Sequence, residues 1–185
     1  MQVIEEIGGP AALVGQSMGG HTAMLVAAHR PDLVSRLLLL ESDAGRGTEA
    51  EHQELGAYFS SWPTPFRDQL EARSFLGDGP LQRAWVEDLE MRPDGLHPRF
   101  DADVMVETMR AVAVPRWEEW ERVACPTTVV YGSNGMFSEE ERSAFASKAP
   151  VIRRVNLPGA GHDAHLDSPP AWKAELRAFL DLCDG

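Results

Sequence analysis

The sequence predicts an α/β fold: a partial parallel sheet flanked by helices, with a helical insertion in the middle of the chain. Three observations carry that prediction. Short strand-like runs at residues 11–16, 35–40, 127–131 and 151–157, the first nearly continuous in apolar residues and the second unbroken over Leu37 to Leu40, alternate with stretches of helical period. Apolar runs of that length suit parallel strands covered by helices on both faces. Between the second and third runs the pattern turns helical and no convincing strand is visible.

Taken in order, residues 1–7 read as the tail of a helix, broken by Gly8-Gly9-Pro10. Residues 11–16 form the first strand. A helix-like run, residues 21–29, follows and stops near Arg30, because a residue before proline avoids the helical region and Pro31 comes next. Leu37, Leu38, Leu39 and Leu40 centre the second strand, which ends in the polar, glycine-containing loop 41–47. Residues 48–122 then read as an insertion between core segments 1–47 and 123–185. Within it Leu55, Tyr58 and Phe59 mark one amphipathic face, Leu81, Trp85 and Leu89 a second, and Met105, Met109 and Val112 a third. Pro63, Pro65, Pro80, Pro93, Pro98 and Pro115 punctuate this segment. Gly132 closes the third strand. Ser138, with Glu141 in the capping-box position, starts a helix running to Lys148. The last strand, residues 151–157, leads into the loop Pro158-Gly159-Ala160-Gly161-His162. A closing helix over 169–183 places Trp172, Leu176, Phe179 and Leu180 on one face.

One stretch organises the rest: Val14-Gly15-Gln16-Ser17-Met18-Gly19-Gly20. Gly-x-Ser-x-Gly between a strand and a helix is a nucleophile elbow, with the serine at the apex of a strained turn. Side chains two residues either side would clash, and Gly15 and Gly19 carry none. The turn lifts the Ser17 hydroxyl off the sheet. It also aims the first amides of the next helix, that of Met18 foremost, at an oxygen beside Ser17.

Bulk properties narrow the class. The 185 residues suit one domain, or one domain with an inserted lid, and suffice for a sizeable core. A formal net charge of -12 argues against nucleic acid or an anionic membrane as a partner. Residues 1–10 have no basic region and no long apolar run, so no signal peptide is expected. The run Leu37 to Leu40 is far too short to span a bilayer. Cys125 and Cys183 are too few and too far apart for a disulfide framework or a zinc site, and read as buried thiols in a reducing cytoplasm.

With these residues in place, the chain resembles the α/β-hydrolase superfamily. The resemblance rests on the Gly15-Gln16-Ser17-Met18-Gly19-Gly20 elbow, the strand end Val129-Val130-Tyr131-Gly132, and the Gly159-Ala160-Gly161-His162 loop, in the superfamily's order of serine first and histidine last. It covers residues 1–47 and 125–185, and the insertion falls where the family carries its helical cap. It implies the α/β-hydrolase fold, Ser17 as nucleophile, His162 as base and the Met18 amide as oxyanion donor. His165 competes for the base weakly, since it lacks the preceding glycines. The spacing of His162, Asp163, His165 and Asp167 fits no zinc signature, and no cofactor is implied.

The acid is left open between two residues. Many relatives keep an aspartate just beyond the Val-Val-Tyr-Gly strand, where this chain reads Ser133-Asn134-Gly135-Met136. Haloalkane dehalogenases are among those that carry it at the end of the preceding strand. Glu41 stands there, with Asp43 as the alternative. A dehalogenase itself is disfavoured, because those use aspartate where this chain has Ser17.

The same resemblance implies that the elbow strand is central in the complete sheet, after several earlier strands and a loop that supplies a second oxyanion amide. Here that strand begins at Ala11, so the chain reads as the C-terminal part of a hydrolase. An apolar central strand left as an edge invites self-association. The expected activity is hydrolysis of an ester, thioester or lactone of a small to medium apolar substrate. Trp62, Phe66, Phe75, Trp85, Trp117 and Trp120 are counted to the insertion, as its core or as pocket lining. The alternatives are a haloperoxidase-like or C–C bond hydrolase, and a weakly active or non-catalytic fragment.

Overall fold

A computed structural model describes residues 1–181. They form two compact units: residues 1–46 with 115 onward, and residues 47–114.

The first unit is built on a four-stranded, all-parallel sheet in the order β1-β2-β5-β6, with β1 at Ala11–Gln16, β2 at Val34–Leu40, β5 at Thr127–Gly132 and β6 at Val151–Leu157. The inner strands, β2 and β5, are the most buried. Leu37, Leu38, Leu39, Leu40, Val129 and Val130 are all buried. Helices cover both faces. On one, Ile4 from α1 (Gln2–Glu6), Met24 and Ala27 from α2 (Met18–His29), Trp120 from α7 (Trp117–Arg122) and Phe145 from α8 (Glu139–Ala146) pack against Leu37, Leu39 and Val129. On the other, Ala164 from α9 (Ala164–Asp167) and Phe179 from α10 (Pro169–Asp181) pack against Leu38, Leu40 and Val130. The Ser138–Glu141 capping box forms as the sequence indicates, both reciprocal bonds present.

Three expectations change here. Strand β1 is not buried on both faces, since Val14 is 43% exposed; that it has a strand neighbour on one side only, among the described residues, is the open edge expected above. Trp117 and Trp120 belong to this unit rather than to the insertion. Trp120 is fully buried, stacked on Phe145 with ring centroids 4.0 Å apart, and its indole N–H donates to the Phe145 carbonyl. Leu180 is exposed, leaving Phe179 as the buried anchor of α10. Cys125 is a free, half-buried thiol; Cys183 lies outside the described residues.

The second unit holds α3 (Glu49–Ser60), α4 (Gln69–Leu76), α5 (Pro80–Asp88) and α6 (Ala102–Ala113), with a hairpin of β3 (Glu90–Arg92) and β4 (Gly95–His97). The hairpin corrects the strand-free reading of this segment. The chain turns at Pro93 and Asp94, and Gly95 has a positive φ of 140°, a backbone state that favours glycine. Phe59, Trp62, Phe66, Leu76, Val86, Leu89 and Leu96 form the unit's core, with Trp85 and Phe100 packed against it. Trp62 and Phe66 therefore act as core; Phe75 is 46% exposed.

Candidate active site

The site sits at the C-terminal ends of β1, β2 and β5 and in the loop after β6. Strand β1 ends at Gln16, Ser17 turns the chain, and α2 starts at Met18. Ser17 has φ 49° and ψ −121°, a conformation that L residues rarely adopt. Three backbone and side-chain contacts hold it there. Its amide donates to the Leu40 carbonyl at 2.9 Å, and its own carbonyl accepts from the His21 amide at 3.0 Å and the Ser42 hydroxyl at 3.1 Å.

The glycines around the elbow divide differently from the sequence reading. A Cβ on Gly15 would lie 2.6 Å from Gly19 C and from Gly20 Cα, so glycine is required there. A Cβ on Gly19 would meet nothing within 4 Å. The second obligatory glycine is instead Gly20, where a Cβ would lie 2.7 Å from Ser42 Cβ and Oγ. Serine is a common helix cap, yet Ser17 makes no side-chain capping bond. Its hydroxyl is uncommitted, and the first-turn amides, Met18 included, have no partner within the helix.

Glu41, the first residue past β2, also has a positive φ, 46°, and its side chain is wholly buried. Oε1 accepts from the Gly132 amide at 2.8 Å and Oε2 from the Met136 amide at 3.0 Å. Oε2 lies 3.4 Å from His162 Nδ1. Gly135 makes room for this carboxylate, since a Cβ there would overlap Oε1 and lie 2.5 Å from Cδ. The position where many relatives carry an aspartate is thus occupied, in space, by the side chain of Glu41.

Gly132 serves both halves of this pair. Its amide binds Glu41, and a Cβ on it would overlap the carbonyls of Ala160 and Gly161. The His162 loop therefore lies directly on the end of β5. Asn134 donates its amide to Ala160 O at 2.9 Å, and Asp167 Oδ2 accepts from the Gly161 amide at 2.9 Å, fixing the same loop. His162 is partly exposed, 29% for the side chain. Its Nε2 lies 3.3 Å from Gln16 Nε2; among the described residues no hydrogen bond joins it to Ser17 Oγ.

Asp43 is not brought to His162. Its carboxylate accepts from the Gly45 amide at 2.9 Å, and burial raises its pKa, an effect that the bond from Gly45 opposes. Nearby His21 is buried, with Nδ1 unpartnered, and burial lowers its pKa. His165 has a buried Nδ1 without a hydrogen-bond partner among the described residues. Behind Glu41, burial pushes the Tyr131 phenol up, and the Arg142 guanidinium donates to Gly132 O at 2.8 Å over the Tyr131 ring. Sequence reasoning missed Gln16, Ser42 and Gly135 as members of the site; of these only Gly135 carried a signal, by standing where a carboxylate was sought.

Comparison with known proteins gives the family of the chain. Among relatives, the mouse sn-1-specific diacylglycerol lipase ABHD11 is 25% identical over 185 residues, covering 92% of this chain and 59% of that protein. The 2-(acetamidomethylene)succinate hydrolase of Mesorhizobium japonicum is 25% identical over 182 residues, covering 94% and 65%. The chain thus spans about six-tenths of the length of these relatives. The crystal structure of an E-2-(acetamidomethylene)succinate hydrolase superposes with a TM-score of 0.84 at 24% identity, over 97% of this chain and 70% of that one. A thioesterase domain from the curacin biosynthetic pathway superposes at 0.71, with 24% identity, over 95% and 69%. At such identities the superpositions speak for the fold alone. The model of the alpha/beta hydrolase family matches residues 2–176, and the chain belongs to that family.

Proposed function

We propose that the chain is a serine hydrolase that cleaves an ester, thioester or lactone of a small to medium apolar substrate through an acyl-enzyme. The reading is carried by one observation: a strained elbow presents an uncommitted Ser17 hydroxyl in the same strand-end cluster as a buried Glu41 carboxylate set against His162 Nδ1. Ser17 Oγ attacks the carbonyl carbon while His162 Nε2 takes its proton. The leaving group then departs with that proton, and water, deprotonated by the same nitrogen, releases the acid. Glu41 holds the ring and balances the imidazolium; Asp43, committed to the Gly45 amide, is set aside for this role. The Met18 amide supports the oxyanion. The named activities of the relatives, a lipase and a hydrolase, agree with this class.

The test is labelling with a fluorophosphonate probe. Wild type labels, Ser17→Ala does not, and His162→Ala labels at least a hundredfold more slowly. Labelling that survives in Ser17→Ala would overturn the assignment. A second reading, a weakly active or non-catalytic fragment, is favoured by the open edge of β1 and by the share of its relatives that the chain spans. A folded chain without labelling would decide for that reading.

A further inference from the structure

The side-chain nitrogen of Gln16 lies 3.3 Å from His162 Nε2 and also 3.3 Å from the His162 carbonyl oxygen. A carbonyl oxygen only accepts, so the Gln16 atom that faces it is the amide nitrogen, not the amide oxygen. That nitrogen has two hydrogens, one for each partner. His162 Nε2 is then the acceptor, which leaves the ring proton on Nδ1. Nδ1 in turn faces Glu41 Oε2 at 3.4 Å, and a carboxylate bonded to two backbone amides accepts only. Partners on opposite sides of the ring demand the same tautomer, the one a general base needs. Yet the bond from Gln16 fills the lone pair that the Ser17 proton must reach.

We propose that Gln16 is a positioning residue that latches the base: it selects the His162 tautomer and, in the resting site, occupies the nitrogen that Ser17 requires. The inference rests on the reading of Ser17 and His162 as nucleophile and base. The reacting pair assembles when the Gln16 amide turns from Nε2 and the Ser17 hydroxyl takes its place. The proton then moves from Oγ to Nε2 as Oγ bonds to the carbonyl carbon. Glu41 keeps Nδ1–H throughout, so the tautomer survives release of the latch.

Two substitutions separate a latch from a prop. Gln16→Met preserves length and cannot donate. Gln16→Glu offers a carboxylate that accepts from Nε2–H and so holds the ring doubly protonated. Each is measured on the whole chain by ring ¹⁵N resonances, assigned with His162→Ala, and by the fluorophosphonate labelling rate. The latch predicts that Gln16→Met shifts the Nε2 resonance, leaves Nδ1 protonated, and labels roughly two- to tenfold faster, as release of one competing hydrogen bond implies. It predicts slower labelling for Gln16→Glu. A purely structural side chain would slow labelling in both variants, and Gln16→Met at or below the wild-type rate overturns the proposal. If no form labels, the serine-hydrolase reading fails by itself. The Nε2 resonance of Gln16→Met then decides alone, an unmoved signal overturning the contact and a shifted one supporting it.

Discussion

Replacing Gly135 with alanine tests how the acid is mounted. A methyl group there would overlap Glu41 Oε1 and lie 2.5 Å from Cδ, and the carboxylate has no solvent to move into, its side chain being 0% exposed. The bonds to the Gly132 and Met136 amides, 2.8 and 3.0 Å, cannot both persist. Loss of one bond to a buried charge costs about 1.5–3 kcal/mol, and overpacking adds about 1–3. The sum, about 2.5–6 kcal/mol, is a large share of the ~5–15 kcal/mol that holds a domain together, and corresponds to a melting point lower by roughly 10 °C. Gly135 does not have a positive φ, so alanine brings no backbone penalty of its own. The cause can therefore be isolated. In a Glu41→Ala background the obstacle is gone, and Gly135→Ala should cost less than ~1 kcal/mol more, a coupling of at least ~1.5 kcal/mol. Thermal melts of the four proteins measure it. Additive losses would refute the reasoning. The cycle extends to function: Gly135→Asp alone should abolish fluorophosphonate labelling, whereas Glu41→Ala with Gly135→Asp should recover part of what Glu41→Ala loses. A double variant no better than Glu41→Ala would show that the vacated space cannot seat a carboxylate facing Nδ1.

Three further outcomes follow from the geometry. Gly15→Ala should lower the melting point by roughly 10 °C or prevent folding, while Gly19→Ala, with open space around its Cβ, should be neutral or stabilising by up to ~1 kcal/mol; equal effects would contradict the placement of the two glycines. His21, its pKa lowered by burial from the usual 6.5, binds a proton less readily in the folded chain than in the unfolded one. Its contribution is therefore complete above that value and lost as pH falls through about 6.5, with a slope of at most ~1.4 kcal/mol per pH unit, and His21→Gln should flatten urea-derived stability between about pH 7 and 5. The open edge of β1 should make the chain associate with itself. Light scattering should show concentration-dependent oligomers that Val14→Lys reduces, and a wild type monomeric at high concentration would end that proposal.

The core strands and the elbow were legible in the sequence because each has a local cause. Four leucines in a row at 37–40 have few homes other than a buried strand, and Gly15 has a clash that only glycine avoids. The choice of acid was only half legible. Two carboxylates follow β2, and which one turns inward depends on the positive φ of Glu41, a backbone state that no residue type announces. Trp117 and Trp120 follow the same helical period as the aromatic residues of the insertion, so periodicity could not show that their helix returns to the core after Pro115. Val14 was misjudged for a related reason: an apolar run reads the same in a central strand and at an edge, since exposure is set by neighbours that the run does not contain. Gln16 left no trace at all, because its partner lies 146 residues away.

These placements divide the site into parts of unequal security. Glu41 and His162 hang on one residue of β5: Gly132 gives its amide to Glu41, and its bare Cα lets the His162 loop lie against the strand end. Strand β5 is flanked on both sides, by β2 and β6, and every one of its residues is buried. Ser17 hangs on β1, whose outer edge has no strand neighbour among the described residues. Disturbance of that edge should therefore move Ser17 before it moves the Glu41–His162 pair. If the edge frays, labelling at Ser17 is lost while the His162 Nδ1 proton stays in place on Glu41. The order of these losses on mild warming, followed by labelling and by the ring resonances, reads this directly. Loss of the Nδ1 signal at or below the temperature where labelling stops would mean that the elbow, and not the inner strands, holds the site together.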